Sequence, residues 1–319
     1  MALLLPFGAL VQWGAVTFPG RSTPLSAFGL ETQSDVAPAT STAYGFDVRA
    51  GFPAPYKDPK VTTTYLLKAA SGLTGLSATS DVEAKATALL RAIQGTYTYG
   101  GAQISGQVGQ LILRRANGTD LVGAWARVSK IEISLQPGQN TMHYLVPITW
   151  TLQSGWAAVA SLPSITATPS SLVGVVPFGR IVSHAGTVLG SDGPPVTTLV
   201  YEWAEQYKAH PTRPYPRDMR GVGPVPIKEI AAVWSSTFHA DPASTTDRAA
   251  YTSVEAQVTT AIQGLTASPV GSLVVRRADD ATTVSARARW VKADLALTPG
   301  KDTWAVRLPL TFLLLSDFA

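Results

Sequence analysis

LILRRANGTDLVGAWARVSKIEISLQPGQNTMHYLVPITW, residues Leu111–Trp150, decides how this chain is read, because it occurs twice. Residues Leu273–Phe312 read LVVRRADDATTVSARARWVKADLALTPGKDTWAVRLPLTF. The two align without a gap, with about 15 identities over roughly 40 positions, which marks an internal repeat. Shared residues include Arg114/Arg276, Arg115/Arg277, Arg127/Arg289, Lys130/Lys292, Pro137/Pro299, Gly138/Gly300, Thr141/Thr303 and Pro147/Pro309. Further out, Pro-Phe-Gly at Pro6–Gly8 returns at Pro177–Gly179, and Ala92-Ile93-Gln94-Gly95 returns as Ala261-Ile262-Gln263-Gly264.

Each block reads as a β-meander. In the first, residues 110–116 form a strand, Asn117-Gly118 a hairpin turn, residues 121–135 a long strand, and Pro137-Gly138 a second turn. Met142, Tyr144, Val146, Ile148, Trp150 and Leu152 alternate along the return strand and predict one core-facing side. Pro147 inside it predicts an edge or a bulge. The long strand changes phase, with apolar residues at Val122, Ala124, Ala126 and Val128 and then at Ile131, Ile133 and Leu135. The second copy changes likewise, from Val284, Ala286, Ala288 and Trp290 to Ala293, Leu295 and Leu297. Since strand side chains alternate with a period of two, this predicts a bulge or a strand passing between two packed faces.

Working outward, Leu3–Phe18 and Val173–Leu189 read as equivalent first strands, so the apolar start is a strand and not an export signal. Val61–Ala69 and Ile227–His239 are β-rich. An amphipathic helix is predicted over residues 80–94, with Ser80 or Asp81 as N-cap, Glu83 near the positive end of the helix dipole and Gly95 as its stop. A second helix is predicted over residues 247–263. Two breaker-rich loops, residues 20–60 and 204–226, are unusually long for a compact domain. They carry Tyr44, Phe46, Phe52 and Tyr56 in the first, and Tyr207, Arg213, Tyr215 and Arg217 in the second. The expected domains are residues 1–156 and 172–319, joined by a Ser/Thr/Pro/Ala-rich linker at 157–171. The expected class is mainly β with one helix per domain (α+β).

Composition narrows the function. The chain has 319 residues, a net charge of +4 and no cysteine, which excludes disulfides and thiolate metal sites. Charged residues are 14% of the chain, below the usual share of about 25%. Basic residues are scattered and make no nucleic-acid footprint. No apolar run approaches the roughly 20 residues of a membrane-spanning helix. His143, His184, His210 and His239 fall in no metal-ligand spacing, and phosphate-binding or nucleophile-elbow motifs are absent from the sequence. No catalytic residue, metal or cofactor is expected. The repeated charges Arg114, Arg115, Arg127, Lys130, Arg276, Arg277, Arg289 and Lys292 read as salt-bridging positions, within the chain or between subunits, or as charges lining a pore.

A helix followed by L-x-L-R-R-x-(N/D)-(G/D), then A-x-A-R on a long strand, a Pro-Gly turn and V-x-(L/V)-P-(I/L)-T-(W/F) resembles the bacteriophage tail-tube family, which includes distal tail and baseplate-hub proteins. The resemblance covers the last part of each copy. It implies a β-sandwich or barrel flanked by a helix, with sheets joined side by side into a ring around a lumen. With two such domains per chain, a homotrimer makes a ring of six, and rings stack into a tube that conducts double-stranded DNA without binding it specifically. The resemblance further implies contacts with tape measure, tail terminator and distal tail proteins, a place in the virion tail after assembly in the host cytoplasm, and no membrane. The eight loop residues named above are then candidate subunit or ring-stacking contacts. Alternative expectations are a distal tail or baseplate ring protein, a carbohydrate-binding sandwich using exposed Trp13, Trp125 or Trp156, and a sequence-independent DNA binder.

Overall fold

The computed structural model describes residues 7–18, 24–29, 60–134, 143–171, 173–189, 193–203, 205–208, 219–222, 227–239, 245–299 and 303–319. Its fold is mainly β, with two helices among the described residues and large antiparallel sheets. The first part holds β1 (Gly8–Trp13), β2 (Val16–Thr17), β3 (Leu25–Gly29), β4 (Lys60–Lys68), α1 (Gly75–Ile93), β5 (Thr96–Tyr99), β6 (Ala102–Ser105), β7 (Val108–Arg115), β8 (Leu121–Ser134), β9 (His143–Leu152), β10 (Ala157–Val159) and β11 (Thr166–Thr168). The second holds β12 (Ile181–His184), β13 (Thr187–Val188), β14 (Val196–Glu202), β15 (Glu205–Lys208), β16 (Met219–Val222), β17 (Ile227–His239), α2 (Thr245–Ala267), β18 (Val270–Arg276), β19 (Thr283–Ala293), β20 (Ala296–Pro299) and β21 (Thr303–Leu314).

The two copies pair their strands alike. β1 turns into β2 and lies antiparallel to β7, which pairs β8. β12 turns into β13 and lies antiparallel to β18, which pairs β19. A register shift interrupts the first pairing between Leu10 and Gln12, and the second between Ile181 and Ser183, the equivalent place. The repeated Pro-Phe-Gly has a steric reason, because a Cβ on Gly8 would overlap the carbonyl oxygen of Arg114 and one on Gly179 that of Arg276. The core keeps the symmetry. Trp13 packs on Trp150 with ring centroids 4.8 Å apart, and at the equivalent positions His184 packs on Phe312 at 5.1 Å.

By contacts the chain forms two compact units that interleave along the sequence. Unit 1 takes residues up to Tyr65, Tyr97–Ser129 and Pro147–Thr166; unit 2 takes Leu66–Thr96, Lys130–Val146 and Ala167–Ala319. α1 and the end of β8, both from the first copy, therefore belong to unit 2. The division of β8 falls at Ser129/Lys130, where the apolar phase changes. Val122, Ala124, Ala126 and Val128 enter the core of unit 1, and Ile131 and Ile133 that of unit 2. The second copy meets the same phase change with a register shift between Trp290 and Lys292, where β19 yields to β20 along β21. Pro309 sits beside that irregularity in a strand flanked on both sides, so here the bulge, and not an edge, accommodates the proline.

Several expectations change. α1 starts at Gly75 with Thr74 as its N-cap, so Ser80 and Asp81 lie inside it. The Asp81 carboxylate accepts from the Ala70 amide instead, and Lys85 first, then that amide, holds its pKa below the usual value. Gly95 follows the Gln94 C-cap as expected, but its reason is close packing against the Thr168 backbone. α2 runs from Thr245 to Ala267, through Gly264, which lets the helix approach Thr187. Residues 157–171 are not a bare linker, because β10 pairs β8 and β11 is a strand. Residues 173–180 precede β12 without being strand. The Asn117-Gly118 hairpin is a wider turn, with only Gly118 at positive φ and Asn117 Oδ1 accepting from the Thr119 and Asp120 amides.

His184 gives a pH signature. Its ring is fully buried, Nε2 lies 3.3 Å from the Ala288 carbonyl oxygen, and burial lowers its pKa below 6.5. A group whose folded pKa is depressed leaves stability intact above its unfolded pKa and takes it away as the pH falls below it. The loss is about 1.4 kcal/mol per pH unit until the folded pKa is reached. Thermal melts of the protein and of His184→Phe at pH 7.5, 6.0 and 5.0 should therefore show a falling stability in acid for the protein that the variant, with no group to titrate there, does not share.

Candidate interface sites

Of the residues proposed as contacts from the long loops, Tyr44, Phe46, Phe52, Tyr56, Arg213, Tyr215 and Arg217 lie outside the described residues. Tyr207 is placed only by its backbone, in β15, opposite Arg220 of β16 in a two-stranded hairpin. Part of the second long loop is thus ordered strand.

The repeated charges mostly find partners close by. In unit 1, Arg114 Nη1 donates to the Gly118 carbonyl at 3.2 Å, Arg115 pairs with Asp120 at 3.7 Å, and Arg127 is buried. In unit 2, Lys130 pairs with Glu132 at 3.1 Å, Lys292 with Asp294 at 2.6 Å and Arg276 with Asp280 at 3.5 Å. These are exposed pairs of the kind worth about 0–1 kcal/mol each. Beside Arg276, the Asp279 carboxylate accepts from Thr282 and Ala281 as Asn117 does in the first copy, and those hydrogen bonds hold its pKa at about 2.

Arg277 behaves differently. Its Nε donates at 2.6 Å to Glu83 Oε1, while Glu83 Oε2 accepts from the Phe178 amide at 3.0 Å and the Ala278 amide at 2.9 Å. One turn on, Thr87 Oγ1 accepts from the Val176 amide at 3.2 Å. The Arg91 side chain donates to the Val173 carbonyl at 3.0 Å. A single face of α1, supplied by the first copy, thus satisfies the irregular backbone at 173–178 and the start of the turn after β18. Phe178 packs beside it against Tyr144, whose pKa burial raises, with Glu83 adding to the shift. Sequence reading assigned Glu83 to the helix dipole and missed this role; the missing signal was the partner, which lies 194 residues away.

Arg289 is exposed on the open face of the unit 2 sheet. There one cross-strand row runs Glu132, Val200, Glu229, Leu313, Arg289, Val270. Its acidic members lie on β8 and β17 and its basic one on β19. The opposite face is core: Ile133, Leu199, Ile230, Leu310, Phe312, Ala288 and Leu273 are buried. Arg127, the counterpart of Arg289, is buried, and the first copy inserts β5 and β6 before its meander. There Tyr97 donates to the Val108 carbonyl at 2.6 Å, with its pKa pushed up to about 12 by burial and then by Tyr99, and Tyr99 meets Trp125 edge-on.

The sugar-platform tryptophans are not open surfaces. Trp13 is buried against Trp150, and Trp125 and Trp156 are half-buried. At the end of the chain, buried Lys228 donates to Asp317, and burial and then Asp317 raise the pKa of neighbouring Tyr201. Among the described residues, no three His, Asp or Glu side chains are grouped to hold a metal, and no helix is long and apolar enough to cross a membrane.

Replacing Glu83 with alanine strands two amides and a guanidinium. Breaking a buried pair costs about 3–5 kcal/mol, and the 30% exposure of the Arg277 side chain places the expected loss at the lower end. Urea unfolding of Glu83→Ala should show it, with Arg277→Ala milder because water replaces part of what is lost. No family model matches the chain, and no curated protein matches it.

Proposed function

We propose that this chain is a non-enzymatic structural subunit of a bacteriophage tail tube, with two tube domains in tandem. Three chains then make a ring of six domains, and rings stack around a DNA-conducting lumen. The observation that carries the reading is the way the copies share a sheet. The end of β8 lies antiparallel to β14, with Ser134 opposite Thr198, Ile133 opposite Leu199 and Lys130 opposite Glu202. An edge of the first copy's sheet is thus continued by a strand of the second, as tiles in a ring continue one another. Heterologous contacts of this kind close into rings when their rotation closes. The open face of that sheet carries charges of both signs, Glu132, Glu229 and Arg289, set among Val200, Leu313 and Val270, and so holds no run of basic side chains that would grip DNA.

Negative-stain images of the purified chain, alone and with tail assembly partners, should show threefold rings and stacked tubes. DNA binding at physiological salt should be weak and show no steep decline with salt. Single rings that never stack would move the assignment to a distal tail or baseplate ring protein. Monomers under every condition would remove it.

A further inference from the structure

The β8–β14 junction has two halves, and each has a twin elsewhere in the chain. The twin of residues 130–134 is 292–296, and the twin of β14 is β3. Residues 24–31 read PLSAFGLE and residues 195–202 read PVTTLVYE. Pro24 bridges Ala9 just as Pro195 bridges Arg180, and β3 pairs β4 as β14 pairs β17. Among the described residues, β3 has no partner on its other edge, and β20 pairs only with β21.

The twins differ in burial. Ile133 is 0% exposed, whereas Leu295, its counterpart, is 55% exposed. Val291, Lys292 and Asp294 are exposed with it. Beside this edge opens an apolar cleft of about 480 Å³, lined by Val258, Ile262, Trp290, Leu295 and Leu308 among others. On the other side, Phe178 is 6% exposed beneath α1, but Phe7, in the same Pro-Phe-Gly, is 72% exposed. Scattered exposed hydrophobics need no explanation. These two are different, since each stands where its twin is buried against the other copy, Ile133 beside β14 and Phe178 beneath α1.

We infer that residues 292–296 of one chain pair antiparallel with β3 of a second copy of the same chain, in the register of the β8–β14 junction. Ala296 then lies opposite Ala27, Leu295 opposite Phe28 and Asp294 opposite Gly29. Each chain offers one such edge and accepts another. The contact is head-to-tail, and every repeat acquires the same neighbour. The cleft beside Leu295 becomes closed core, as around Ile133, and Phe7 lies at the accepting end as Phe178 does within the chain. The inference rests on the tube reading only for the number of chains per ring; the edge and its register come from the internal junction.

The absence of cysteine makes the contact directly testable. Directly opposed residues in an antiparallel pair have Cα atoms about 4.5–5.5 Å apart, within disulfide reach. The full-length variants Ala27→Cys and Ala296→Cys, differently tagged, are mixed and oxidised. A covalent heterodimer should form in preference to either homodimer. Adding Leu295→Lys to the second variant should leave its thermal melt unchanged, because the residue is exposed in the isolated chain, and should lower heterodimer yield about tenfold. The pair Ser134→Cys with Thr198→Cys in one chain, which should close internally, serves as the positive control. The inference is overturned if the control closes and the mixture gives no heterodimer. It is equally overturned if a chain carrying both Ala27→Cys and Ala296→Cys closes on itself. Stacked rings without the heterodimer would sink this contact and leave the tube reading standing, whereas the heterodimer without rings would do the reverse.

Discussion

A β-strand presents successive side chains to opposite faces, so an apolar pattern that changes phase within one strand forces a change of environment. β8 lives under that constraint. Its even positions from Val122 to Val128 are buried in unit 1, and its odd positions Ile131 and Ile133 are buried in unit 2. One strand serves two cores, and a one-residue slip would expose both sets together. Much else follows. The segment beyond Ser129 needs a neighbour to bury Ile131 and Ile133, and β14 of the other copy supplies it, with Leu199 and Tyr201 opposite them. α1 travels with that segment and commits a buried carboxylate to the second copy's backbone.

That commitment explains a buried charge in a chain with few charges. An ionised carboxylate out of water is costly unless its lone pairs are filled. Glu83 receives three donors from two separate segments, Phe178 on one and Arg277 and Ala278 on the other. Two of the donors are amides in irregular backbone that no strand would otherwise satisfy, so the helix and the loops it covers solve each other's problem. A leucine there would fill space and strand both amides.

What was legible in the sequence was what depends on local period. The repeat, the meander, the phase change and the existence of both helices all announce themselves through alternation or 3.6-residue spacing. Helix starts were less legible. Thr74 caps α1 without a side-chain hydrogen bond, while Ser80 and Asp81 look like caps but lie inside the helix, where Asp81 accepts from the Ala70 amide of the preceding loop. The interleaving of the units was hidden altogether. Nothing around Glu83 in the sequence states that its partner is Arg277, 194 residues away. The same holds for Trp13, which reads as an open aromatic platform until Trp150 is seen to cover it. For the contact residues on the long loops other than Tyr207, which β15 holds, the reading stands where the sequence left it, because those residues lie outside the described ones.

The differences between the copies are as informative as their likeness. Where a position is enclosed within the chain, its partner groups are complete: Phe178 lies under α1, and Ile133 lies against Leu199. Where the twin position faces outward, its character has not become polar. Phe7 remains phenylalanine and Leu295 remains leucine, although a charged residue at either site would cost the isolated chain nothing and would protect an open strand edge from indiscriminate pairing. The local lysine–aspartate pair at Lys292 and Asp294 beside Leu295 repeats Lys130 and Glu132 beside Ile133. An edge that keeps the apolar centre and polar flanks of a buried junction is chemically prepared for the same kind of strand, and β3 is the one described strand that matches.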